Sequence, residues 1–110
     1  MTPSGSAVVR ITTLIARPGE REHLLVAAWE NASAAARQPG CRSAEVAEDP
    51  ADPMRVLVIS RWDSEREAQA FLVWHKTLAH ASLKAFTAEP VASVHYRVDA
   101  AAALAVHSEQ

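Results

Sequence analysis

The chain has 110 residues, 49% hydrophobic and 22% charged, with a formal net charge of −2. That is the size of one domain with the balance of a soluble globular protein, and its dispersed charge gives no electrostatic footprint for nucleic acid. It has no apolar run long enough to span a membrane and no signal-peptide pattern, while its single cysteine, Cys41, excludes an internal disulfide and fits a reducing cytoplasm. Residues 1–6 are small and polar, which predicts a flexible N-terminus. Ala7 to Ala16, AVVRITTLIA, is rich in β-branched residues and too short for an ordinary helix, which predicts a strand ended by Arg17-Pro18-Gly19. From Glu20 to about Arg37 the pattern is helical. Glu20 and Glu22 lie in the first turn, where the helix dipole favours anions, and Leu24, Leu25, Ala28, Ala32 and Ala35 form an apolar stripe. Gln38-Pro39-Gly40 stops it.

Cys41 to Glu48 alternates as a second strand, and the turn-rich Asp49 to Pro53 follows. Arg55 to Trp62 is the clearest strand, with Val56, Val58, Ser60 and Trp62 on one face and Leu57, Ile59 and Arg61 on the other. Ser64 and Glu67 form a capping box at the start of a second helix, which runs toward Ala85 with a break near Thr77. Glu89-Pro90 ends it, Val91 to Val98 alternates as a fourth strand, and residues 99–110 form an Ala-rich tail, loose or docked on a neighbour.

The order is β-α-β-β-α-β. It predicts an α+β, ferredoxin-like domain over residues 7–98, a four-stranded antiparallel sheet with both helices on one side. The other face would carry Val, Leu and Ile to water. The chain is also diluted by 23 alanines, against two Phe, one Tyr and three Trp. An alanine recovers far less on burial than the ~1.5–3 kcal/mol of a Leu or Phe. Both observations predict a homodimer with the two sheets packed face to face.

Common cofactor signatures are absent: the three glycines are not clustered, no Cys/His spacing suits zinc, and there is no Gly-x-Ser-x-Gly. The informative stretch is Arg61-Trp62-Asp63-Ser64 followed by Phe71, Trp74, His75 and His80. Phe71, Trp74, His75 and Leu78 share one helix face, and Trp62 ends the strand beside it. Aromatics at a strand end facing aromatics on a helix would build a slot for a flat hydrophobic ligand, although the same spacing also describes a plain core. His75 is the only titratable group on that face. It is either a proton acceptor for a phenol or hydroquinone, or a hydrogen-bonded core histidine. His80 joins it only if the helix breaks between them. Trp29 is placed on the opposite wall. His23 reads as solvated, His95 as solvated or at a dimer interface, and Cys41 as an inert small residue.

The combination of Arg17-Pro18-Gly19-Glu20 after the first strand, Pro39-Gly40-Cys41 opening the second, Asp52-Pro53 in a hairpin and Arg61-Trp62-Asp63-Ser64 opening a helix resembles the antibiotic biosynthesis monooxygenase family. Members of that family are small dimeric α+β barrel proteins. Within it, Arg17 to Leu25 and Val58 to Trp62 are most similar to small oxygenases of angucycline-type aromatic polyketide pathways, which open or rearrange a quinone ring. Two departures stand out. Where cofactor-independent quinone-forming members carry Asn and Tyr, this chain has Val58 and Ala68. Where haem-degrading relatives carry a first-strand Asn, it has Thr12, and His80 only approximates their haem ligand.

The resemblance therefore implies an oxygenase acting with O2 on a small polycyclic aromatic polyketide, with no tightly bound metal. His75 and His80 would be the catalytic groups. Trp62, Phe71, Trp74, Trp29, Leu78, Val58 and Thr12 would line the substrate. Cofactor-free chemistry stays open beside reduced flavin (FADH2 or FMNH2) delivered by a separate flavin reductase. A haem-degrading enzyme and a non-catalytic hydrophobic-ligand-binding or stress-response module are the alternatives.

Overall fold

A computed structural model describes the backbone of residues 7–78 and 80–99, with side chains at all of these positions except 74–82. The expectations for residues 1–6 and for the tail beyond Asp99 lie outside the described residues. The elements are β1 (Val8–Ile15), α1 (Arg21–Ala36), β2 (Cys41–Asp49), β3 (Asp52–Trp62), α2 (Glu65–Leu78), α3 (His80–Phe86) and β4 (Ala92–Arg97). The sheet has the order β2-β3-β1-β4, with every neighbouring pair antiparallel. This is the α+β, ferredoxin-like arrangement expected from the order of elements.

One strand boundary moved, for a local reason. β3 starts at Asp52 rather than Arg55, because Asp49 pairs with Asp52 across a two-residue turn. The carboxylates tighten that turn: Asp49 Oδ1 accepts from Ala51 N at 2.8 Å and Asp52 Oδ1 from Met54 N at 3.1 Å. The second helix is divided near Thr77, as the sequence anticipated: α2 ends at Leu78 and α3 begins at His80. Beyond α3 the chain is pinned to the end of β1. Arg17 N donates to Phe86 O and Ala88 N to Ile15 O, while Arg17 Nε reaches Thr87 O at 2.9 Å.

Alternation decides what the helices cover. Val8, Arg10, Thr12 and Leu14 of β1 are buried, as are Val56, Val58, Ser60 and Trp62 of β3. Register aligns these residues in rows: Val8 with Trp62, Arg10 with Ser60, Thr12 with Val58, Leu14 with Val56. Leu14, Val56 and Val58 join Leu24, Ala28 and Ala32 of α1 and Leu83 of α3 in one core cluster. Val8 and Trp62 join Ala34, Ala35, Ala68 and Phe71 in a second. The Arg10–Ser60 row falls between the two. Small side chains on α1 let that helix sit close to the sheet, so Ala27, Ala28, Ala32, Ala34 and Ala35 are packing positions.

Candidate functional site

The second cluster brings together two of the aromatic residues singled out in the sequence. Trp62 ends β3 and is wholly buried, and Phe71 projects from α2 to meet it with ring centroids 5.5 Å apart. Trp62 Nε1 donates to Ser60 Oγ at 2.8 Å, which satisfies the indole inside the core. The capping box places α2: Ser64 Oγ donates to Glu67 Oε1 at 2.6 Å, and Glu67 N points at Ser64 Oγ at 3.5 Å.

Beside this aromatic pair runs a row of polar groups. Arg10 is 4% exposed, with its guanidinium carbon 5.7 Å from the centre of the Phe71 ring. Its Nη2 donates to Ser93 Oγ at 3.3 Å, and Ser93 Oγ lies 2.9 Å from Thr12 Oγ1. Arg10 Nε is buried with no hydrogen-bond partner, and no carboxylate of the described residues forms an ion pair with Arg10. Burial alone lowers its pKa from the ordinary arginine value. Thr12 is buried like Arg10, but Ser93 is exposed, so the row opens to solvent at the β4 edge.

His95 is the β4 partner of Arg10 and shares its face. Its Nδ1 lies 2.9 Å from Glu65 Oε2, and the Glu65 carboxyl is held below its usual range by hydrogen bonds from His95 and then Gln69. The expectation of a solvated or dimer-interface His95 is corrected: its side chain is only 16% exposed and turns toward α2. It does so because its register with Arg10 puts it on the helix-covered face.

Trp29 is also corrected. It is 62% exposed on the outer side of α1, where it borders an open recess of about 400 Å³ with Val26, Glu30, Ser33 and Arg37. The buried stripe of α1 is Leu24, Ala27, Ala28, Asn31, Ala32, Ala34 and Ala35, and Trp29 falls outside it. His23 is exposed as expected, bonded to Glu20 at 2.7 Å and stacked on Phe86. Cys41 is half-buried and burial pushes its thiol up, which agrees with an unreactive residue.

Thr12 and Val58 face each other across β1 and β3 on the same side as Trp62. The side chains of Trp74, His75, Leu78 and His80 lie outside the described residues, on or just after the α2 segment that carries Phe71. The sheet itself carries polar groups beside the aromatic pair: Arg10, Thr12, Ser60 and Ser93. Arg10 is the residue that sequence reasoning missed. Its signal was parity within VVRITTLI, which puts it on the face of Val8, Thr12 and Leu14. Among the described residues, no three His, Cys, Asp or Glu side chains converge on a metal position. Nor is any helix among them long and apolar enough to cross a membrane.

Residues 7–86 match the sequence model of the antibiotic biosynthesis monooxygenase family. No curated protein matches the chain. Among solved structures, one from Chloroflexus aurantiacus J-10-fl, provisionally named an antibiotic biosynthesis monooxygenase, is 29% identical with a TM-score of 0.70, over 86% of this chain and 94% of that one. A similarly named protein from Deinococcus radiodurans is 25% identical with a TM-score of 0.75, over 84% and 92%. Rv0793 from Mycobacterium tuberculosis is 21% identical with a TM-score of 0.75, over 87% and 99%, a likeness of fold.

Proposed function

The chain belongs to the antibiotic biosynthesis monooxygenase family, whose membership points to a small monooxygenase-type function, and from that premise we propose that it oxygenates a flat polycyclic phenol, hydroquinone or quinone of the aromatic polyketide class. The observation that carries this reading is the Trp62–Phe71 pair lying beside the buried polar row of Arg10, Thr12, Ser60 and Ser93. Aromatic mass against a few fixed polar groups suits a planar substrate that carries oxygen substituents. Val58 and Thr12 would line the floor, and Trp74 and Leu78 would continue the Phe71 face along α2.

In the proposed reaction, His75 or His80 takes a proton from the substrate to leave an electron-rich anion. Dioxygen is the oxidant. A benzylic CH2 can become a carbonyl with release of one water, with no other reductant. Hydroxylation of a ring carbon needs two further electrons, which reduced flavin from a separate reductase would supply as a diffusible co-substrate. Apolar walls keep water from the reacting pair until the carbon–oxygen bond forms. We also propose that the working unit is a homodimer.

The test supplies anthrone- and naphthol-type substrates with 18O-labelled dioxygen, with and without reduced FMN or FAD, and weighs the products. One labelled oxygen in the product supports the reading, and the flavin requirement separates its two forms. Tight binding of every compound without label would make the protein a binding module. Unchanged turnover in His75→Ala would assign the base to His80.

A further inference from the structure

Among the described residues, Arg10 has a charge without a counter-charge. Burying a guanidinium this deeply is unfavourable unless an anion or a full set of acceptors meets it. The structure gives it one hydroxyl at 3.3 Å and the face of Phe71 at 5.7 Å, and leaves Nε with nothing. A ring face offsets only a small part of such a cost. Register makes the position deliberate in the fold: Arg10 lies between Ser60 and His95, and one row away Thr12 lies beside Ser93. Glu65, which meets that face through His95, is already engaged by His95 and Gln69.

We infer that Arg10, with the hydroxyls of Ser93 and Thr12, forms an oxyanion subsite that holds the ionised phenolic or enolic oxygen of a planar aromatic ligand next to Phe71. The inference rests on the aromatic-substrate reading above and names the state in which the ligand is bound. On binding, the phenolic O–H ionises, its proton passes to the base of the proposed reaction and on to solvent, and the oxygen keeps the electron pair. The negative oxygen supplies the missing counter-charge, accepting from Arg10 in a charge-assisted hydrogen bond. Ser93 is exposed, so the subsite is reached from the β4 edge, and its hydroxyl can turn from Thr12 to the ligand. The bound form is also the electron-rich one that reacts with dioxygen.

Binding can be read without turnover. The full chain is titrated anaerobically with 2-hydroxyanthraquinone, whose visible band moves to longer wavelength on ionisation, at a pH just below the free dye's own midpoint. Unsubstituted anthraquinone is the neutral control, followed by quenching of tryptophan emission. The wild type is expected to bind the hydroxyl dye in its ionised colour. Arg10→Gln is expected to weaken that binding about 10–100-fold and to return the bound dye to its neutral colour, the loss of one charge-assisted contact. Its affinity for anthraquinone should change less than about threefold, a difference near the noise of one weak contact. Arg10→Lys should keep part of the ionised band, and Ser93→Ala, at an exposed position, guards against a folding defect and should weaken the hydroxyl dye alone. Ionised dye bound equally well by folded Arg10→Gln, or neutral-coloured dye on the wild type, would overturn the subsite while leaving the aromatic site standing. A wild type that binds neither dye would overturn both.

Discussion

Trp62 can be enclosed completely because Ser60, two residues earlier on the same strand face, accepts its Nε1–H at 2.8 Å. Removing that acceptor leaves a buried donor unpaired, which costs about 1–3 kcal/mol. Ser60→Ala is therefore expected to lower stability by that amount in urea unfolding. Trp62→Phe should make Ser60→Ala nearly neutral, because the donor has gone as well. Two additive losses would show that the bond contributes nothing. The Val56-Val58-Ser60-Trp62 face could be read from alternation alone, since a strand has only two sides. Arg10 was not read, although the same rule applies. The first strand is rich in β-branched residues on both faces, so composition did not say which side was covered. Only pairing with β3 did, where Arg10 stands opposite Ser60. Trp29 failed for a related reason: a helix stripe drawn through Leu25 runs a quarter-turn away from the buried one through Leu24, Ala28 and Ala32.

At the scale of elements, the Pro39-Gly40 turn and the start of α2 are a single joint. Gly40 has φ +83°, and a Cβ there would lie 2.5 Å from Glu67 Cδ, the carboxylate that completes the capping box. Gly19 has φ +80° but open space around it. Gly19→Ala should cost about 1–2 kcal/mol, the strain of a left-handed backbone. Gly40→Ala should cost about 1 kcal/mol more, because Glu67 must leave Ser64 to make room. Equal losses for the two variants in denaturant unfolding would break the link between turn and helix. Glu65 fastens the same helix to β4 through His95. Its pKa is lowered on folding, so ionised Glu65 stabilises the fold above the ordinary carboxylate range. That contribution is lost as pH falls through the lowered value. Glu65→Gln is thus expected to lower Tm slightly at neutral pH and to match the wild type in acid. The effect is small because Glu65 is more than half exposed. A Tm difference that grows on acidification would reverse the sign and refute the assignment.

For the whole molecule, the unresolved balance is on the face of the sheet away from the helices. Its central row is Ile59, Ile11 and Val94, with Val9 and Tyr96 on one side and Leu57 on the other. Val94 is 48% exposed and Tyr96 54%. A contiguous apolar patch of this kind on a small chain calls for a cover. The described helices supply none, because they pack on the opposite face. A second copy, as proposed above, would supply it without a further gene product, and an isologous contact would make each substitution count twice. Light scattering on the eluting protein is therefore expected to give the mass of two chains. Ile59→Lys would place two ammonium groups within the proposed contact, each beside Glu45 of its own chain as its cross-strand neighbour and facing the like charge of the other copy. That variant should elute as a monomer with its far-ultraviolet spectrum intact and a lower Tm. A wild type that runs as one chain at micromolar concentration, or an Ile59→Lys protein that remains a dimer, would place the contact elsewhere. Because the helix-covered site and the open face share β1 and β3, dye binding by the monomeric variant would further show whether one chain holds a complete site.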